Sequence, residues 1–147
     1  MKRRVYQRRR SSQRGVAALE FVLVFPFLMM VLFGIIDVSL MLCDKAVITN
    51  AAGEAARQGV VLRVPPANAA LIQNAALTYM QNGLVAGGAA ATPTVTVSPS
   101  GTCASAGSGN PLTVTISYAY QGIVLGSWLS VLTGPITVTA TATKNCE

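Results

Sequence analysis

Hydrophobic and polar positions divide the chain into four stretches with different periods. Residues 1–15, MKRRVYQRRRSSQRG, are basic and polar with no apolar repeat. They offer no face to bury and read as a targeting or processing segment. From Val16 to Ile36 the run VAALEFVLVFPFLMMVLFGII has 21 residues and a single charge, Glu20. As a helix it rises about 31 Å, close to the ~30 Å of bilayer hydrocarbon, so it can cross a membrane once. Pro26 lies inside this span, where it removes one backbone donor and bends the helix slightly.

Past the span, DVSLMLCDKAVITNAAGEAARQGVVL stays rich in Ala, Leu, Met and Ile, with Glu54 and Arg57 three residues apart. That spacing makes neighbours on a helix face, so the helix continues out of the bilayer to about Val60. Pro65-Pro66 sets its end, because neither residue has a backbone N–H and the residue before each is pushed toward extended geometry. Leu71, Ile72, Ala75, Ala76 and Tyr79 recur at helical spacing and predict a second helix from Ala67 to about Leu84. Gly83 or the Gly87-Gly88 pair stops it. After Ala89 the period becomes two. Thr94–Ser98, Leu112–Tyr120 and Ile136–Thr143 alternate apolar and hydroxyl residues, the pattern of strands with one face buried and one wet. Leu112, Val114, Ile116, Tyr118 and Tyr120 share one face, and Ile136, Val138, Ala140 and Ala142 share another. A Gly/Ser-rich loop from Ser98 to Pro111 joins the first two strands, and the apolar stretch 121–135 has no clear period. The fold class is α+β: a long N-terminal membrane-spanning helix, a short helix and a small antiparallel β-sheet of about three strands.

Composition narrows the function. The chain is 147 residues, 52% hydrophobic and 11% charged, which excludes a disordered tail and fits one small domain. A net charge of +6 would ordinarily suggest nucleic acid. Seven of the eleven basic residues (Lys2, Arg3, Arg4, Arg8, Arg9, Arg10, Arg14) lie in the first 14 positions, so the basicity belongs to a leader and no nucleic-acid partner is expected. The positive-inside rule keeps that flank in the cytoplasm and puts the C-terminal part outside. There is no His, which removes His-based acid–base catalysis, Ser-His-Asp and Cys-His nucleophiles and most zinc sites. Glu20, Asp37 and Asp44 lie in or at the membrane, and no Gly-rich phosphate loop precedes a helix, so no enzyme, cofactor or metal is expected.

The most informative run is Arg14-Gly15-Val16-Ala17-Ala18-Leu19-Glu20-Phe21. A carboxylate four residues into a membrane span costs a few kcal/mol unless it is paired or neutralised. This arrangement resembles the class III signal of the type IV pilin superfamily. The resemblance implies a cut by a prepilin peptidase between Gly15 and Val16, with Glu20 the fifth residue of the mature chain. From Gly15 to Arg57 the sequence looks like TadE-like minor pseudopilins of tight-adherence (Tad/Flp) pilus systems. Leu19-Glu20-Phe21, Pro26, Gly34-Ile35-Ile36-Asp37 and Asn50-Ala51-Ala52-Gly53-Glu54-Ala55-Ala56-Arg57 carry it. Phe21, where major Flp pilins prefer Tyr, and the long C-terminal part both favour a minor pseudopilin over a major subunit. The resemblance implies three parts: a basic prepilin leader (1–15), a transmembrane pilin-like helix (16–60) and an extracytoplasmic α+β domain (61–147). It further implies a role for Glu20 and Phe21 in assembly or priming of the pilus. The implied partners are other pilin and pseudopilin subunits, the prepilin peptidase, an inner-membrane assembly platform and membrane lipid. The chain would sit in a bacterial inner membrane or be incorporated into an extracellular pilus.

A second reading is a single-span anchored extracytoplasmic binding or adhesion module that uses its leader only for topology. An ordinary secretory signal fits less well, since its apolar region is 7–15 residues and holds no acid. Cys43 follows Leu42, too large a residue to precede a lipidated cysteine. Asp37 reads as a solvated acid at the outer end of the span. In an oxidising compartment Cys103, in the Gly/Ser loop, and Cys146, at the C-terminus, are the preferred disulfide pair, with three unpaired cysteines the open alternative. Trp128 reads as core and, if exposed, as a contact surface.

Overall fold

The computed structural model describes residues 13–62, 64–81, 83–85, 92–99, 102–123, 134 and 136–147. Residues 1–12 of the leader, Gly87-Gly88 and Trp128 lie outside the described residues. The chain divides into two compact units, one ending at Ile35 and one comprising Ile36–Glu147. Helix α1, Gln13–Val60, contributes to both and runs unbroken through Pro26. In the first unit its apolar side chains are exposed, among them Val16, Leu19, Phe21, Val22, Leu23, Phe27 and Leu28. Among the described residues this is the one helix long and apolar enough to cross a membrane.

The second unit is a helical layer on a three-stranded antiparallel sheet. Helix α2 (Ala69–Met80), strand β1 (Thr94–Ser98), helix α3 (Thr102–Ala106), strand β2 (Pro111–Tyr120) and strand β3 (Ile136–Asn145) follow α1, and the sheet order is β1-β2-β3. The α+β class read from the sequence is the class observed. Within α1, Asp44, Ile48, Ala51, Ala52, Ala55, Ala56 and Gly59 are buried and recur every three or four residues, one stripe of the helix. Small side chains on that stripe bring the backbone close to the sheet. Contact is tightest at Gly59, where an added Cβ would lie 2.4 Å from Leu112 Cδ2 and 2.8 Å from Ile72 Cδ1. From the sheet, Leu112, Val114, Ile116, Tyr118 and Tyr120 point into the core, and α2 adds Ile72, Ala76 and Met80.

Register explains the two strand faces. Val114 pairs with Ala142, Ile116 with Ala140 and Tyr118 with Val138, so the apolar sets of β2 and β3 lie on the same side of the sheet. The opposite side is a hydroxyl surface, with Thr113 and Thr143 Oγ1 3.0 Å apart and Thr115 and Thr141 Oγ1 3.3 Å apart.

Helix boundaries differ from the sequence reading. α1 ends at Val60, where the sequence reading put it, but begins at Gln13, three residues before Val16. α2 starts after Asn68, whose Oδ1 accepts the Leu71 N–H at 2.8 Å as an N-cap. It stops at Met80, before Gly83, and its buried residues are Ile72, Ala76 and Met80, whereas Leu71 and Tyr79 are exposed. The Gly/Ser segment is more ordered than its composition suggests. It holds α3, entered through Thr102 at φ +61°, a rare conformation for a β-branched residue. The buried Thr102 hydroxyl donates to the Ala67 carbonyl at 2.6 Å, which fixes this turn against the start of α2.

Candidate functional site

The sequence-predicted residues of the N-terminal segment fall on the exposed first turns of α1. Helix starts at Gln13, so Gly15 and Val16 are already helical. Gly15 has no neighbour within 4 Å of where a Cβ would stand, and Val16, Glu20 and Phe21 are exposed. One turn separates Phe21 from Phe25, and their rings meet at a tilt of 37° with 5.4 Å between centroids. Glu20 is the sole acid among the described residues of this unit. What this segment offers is an apolar helical surface with one carboxylate near its start.

In the second unit Asp37 and Asp44 of α1 hold the helix to the rest of the fold. Asp37 is half-buried. Its Oδ1 accepts the Ile123 N–H at 3.1 Å, and its carbonyl accepts the Tyr120 hydroxyl at 3.1 Å. The expectation of a solvated interfacial acid is therefore corrected: Asp37 caps the chain as it leaves β2. Asp44 is fully buried; Oδ1 accepts the Val85 N–H at 2.7 Å and Oδ2 has no partner. Burial pushes its carboxyl above the ordinary range, and the Val85 N–H offsets this only in part. Burial also raises the Tyr118 and Tyr120 hydroxyls, and the Asp44 charge adds to both. Beside Asp44, the Lys45 ammonium donates to the Thr139 carbonyl of β3.

At the far end of α1, Arg57 pairs with Glu54 through two hydrogen bonds, 3.0 and 2.9 Å, and Gln58 adds a third. These contacts hold the Glu54 carboxyl down at about 2 and raise Arg57. The pair is exposed and contributes little to stability. Cys103 and Cys146 are joined in a disulfide, and Cys43 is free and exposed. Among the described residues no three His, Cys, Asp or Glu side chains gather as a metal ion would require.

Sequence reasoning missed Asp44 and Lys45 as structural contacts. The signal was present, since Asp44 lies on the same three-and-four repeat as Ile48, Ala51 and Ala55. In a helix apolar almost all round, that repeat does not stand out.

Among the described residues, one N-terminal helix is long and apolar enough to cross a membrane and continues into a small α+β unit, which supports a membrane anchor. Residues 15–57 match the family model described as TadE-like protein, which associates this helix with Tad pilus proteins. The match ends at Arg57, before α2 and the whole sheet. No match to the chain is found among curated proteins or among solved structures.

Proposed function

We propose that this chain is a minor pseudopilin that takes part in assembly or priming of a Tad/Flp pilus. The carrying observation is that one helix combines Gly15-Val16, the lone Glu20, the apolar run to Ile36 and the TadE-like match through Arg57. On this reading the leader 1–15 is removed by a prepilin peptidase and Val16 becomes the first residue. Residues 16–60 form the pilin-like helix, and 61–147 form the outer α+β domain. The chain waits in the inner membrane as a single span, N-terminus inside, before docking with other pilin and pseudopilin subunits at the assembly platform.

Glu20 answers a charge problem created by the cut. The new Val16 ammonium sits in apolar surroundings, and a carboxylate within a helical turn or on a neighbouring subunit lowers the cost of burying both. Phe21, exposed beside it, supplies apolar contact area. The test is N-terminal sequencing of the protein isolated from membranes of cells with and without a prepilin peptidase. A Val16 terminus that depends on the peptidase is the expected result. An uncut chain in both strains overturns the reading and leaves an anchored binding module.

A further inference from the structure

Past the last turn of α2 the chain is lightly held. The Gly83 and Leu84 N–H groups both donate to the Met80 carbonyl, at 3.1 and 3.3 Å, which closes the helix. The next donor, the Val85 N–H, has left the helix and goes to Asp44 Oδ1 of α1 at 2.7 Å, 41 residues away. Packing follows the same crossing. A Cβ on Gly83 would lie 2.9 Å from Val47 Cγ1, and Leu84 is partly buried against the core while Val85 is exposed. Gly83–Val85 is thus a thin cover over one turn of α1. Among the described residues its one hydrogen bond to α1 is the bond to Asp44.

An acid is an uneasy fastener in this position. Asp44 is fully buried and its Oδ2 has no partner. A neutral carboxyl tolerates such a place, whereas a carboxylate leaves a full charge out of water with one N–H to satisfy it.

The surrounding elements supply no counter-charge. From β2, Tyr118 and Tyr120 lie close enough to feel the charge of Asp44, and both are buried phenols. The Tyr120 hydroxyl donates to the Asp37 carbonyl. α2 contains no Asp, Glu, Lys or Arg, and its Tyr79 is exposed. On β3, Lys144 stands opposite Leu112, at the other end of the β2 ladder from Tyr118 and Tyr120. On α1 itself, Lys45 donates to the Thr139 carbonyl, and Asp37 is a second acid. Among the described residues no Lys or Arg pairs with Asp44.

Water reaches a fully buried carboxylate only if something covering it moves. α1, α2 and β2 are held by their own ladders of backbone bonds, and Gly83–Val85 is not. We infer that Asp44 is a proton-operated latch: protonated, it holds Gly83–Val85 against α1, and on giving its proton to solvent it lets that segment lift. Lifting uncovers Val47 and Leu84, so an apolar patch of the second unit becomes conditional on pH. In the open form the carboxyl ionises near its ordinary value of about 3.9, and in the closed form at a higher one. Between the two, each rise of one pH unit favours the open form by about tenfold, because opening releases one proton.

The test is amide hydrogen exchange on the full chain in detergent micelles, isotopically labelled at valine, so that Val85 and the central-strand Val114 are read in one spectrum. The Val85 amide is expected to lose protection by about tenfold per pH unit upward from about pH 4, until the closed form has itself titrated. Low concentrations of urea are expected to leave it unchanged, because a local opening exposes little surface. Val114 exchanges only when the sheet comes apart, so it is better protected and loses protection as urea is added. In Asp44→Asn the acceptor cannot ionise, and Val85 protection is expected not to vary with pH. Val85 protection that is independent of pH in the parent, that responds to urea as Val114 does, or that falls equally with pH in Asp44→Asn overturns the inference. The first two measurements need no variant to fold, and they read the same whether or not the chain is cut at Gly15.

Discussion

Gly59→Ala puts the contact between α1 and the sheet to a quantitative test. The new methyl group would stand 2.4 Å from Leu112 Cδ2 and 2.8 Å from Ile72 Cδ1. Carbon atoms in contact lie about 3.5–4.0 Å apart, so Leu112 must retreat by more than an ångström. Both side chains are fully buried, so neither can swing into solvent. Overpacking of this kind costs about 1–3 kcal/mol. Alanine regains up to about 1 kcal/mol of helix propensity, less so close to the end of α1. The net expectation is a loss of about 1–2 kcal/mol. Leu112→Ala alone removes a core side chain and costs about 2–5 kcal/mol. Combined, the two changes relieve one another, because the added methyl enters the space Leu112 leaves, so the double variant is less destabilised than the sum by about 0.5–3 kcal/mol. Urea denaturation of the full chain in detergent, followed by near-ultraviolet circular dichroism of the buried tyrosines, measures all four corners of the cycle. A Gly59→Ala protein as stable as its parent, or strictly additive losses, would refute the close-approach account.

Other predictions follow from single contacts. Asp44 has a raised carboxyl, so its stabilising share is complete below the unfolded value near 3.9 and is lost as pH rises through the folded value. Melting temperatures taken upward from pH 4 are expected to decline more steeply in the parent than in Asp44→Asn, whose amide oxygen still accepts from Val85. Glu54 does not confuse that window, because its lowered carboxyl loses its contribution only as pH falls from the ordinary carboxylate range toward about 2. Replacing Cys103 and Cys146 by Ser reopens a loop of 43 residues' separation and is expected to cost up to about 4 kcal/mol in the chain-entropy account; non-reducing peptide mapping checks the pairing in envelope-derived protein. Gly15→Leu is expected to leave the chain uncut in the membrane by immunoblot. Glu20→Ala is expected to be cut to Val16 yet be missing from sheared pili, and equal incorporation would remove its docking role.

The sequence made some of these features visible and hid others for identifiable reasons. The helix of α1 was legible because Val16–Ile36 is apolar without interruption, and the sheet because TVTVS, LTVTISYAY and ITVTATAT keep a strict period of two. α3 was hidden because the Gly/Ser-rich Ser98–Pro111 segment carries no local helix signal and depends on a long-range bond from Thr102 to Ala67. The N-terminal candidates were legible from the clash of a carboxylate with an apolar run. Asp44 was not, since its role is set by Val85, 41 residues away. The place of β3 at the edge of the sheet appears only once the strand order is known, because alternation of Thr with Val or Ala is the same on an edge strand and a central one.

The bridge between Cys103 and Cys146 also decides how this unit answers a pull. Tension applied between Ile36 and the C-terminus reaches Cys146 and passes through the sulfurs to Cys103, bypassing the 43-residue separation that contains β2 and β3. At about 3.5 Å per residue, roughly 150 Å of contour length is withheld from extension. Only the chain before Cys103 can be drawn out, so a stretched molecule gives up α1, α2 and β1 and keeps β2 and β3 as an inextensible loop. A protein built this way lengthens by a limited amount under load and keeps β2 and β3 tethered when the load is released.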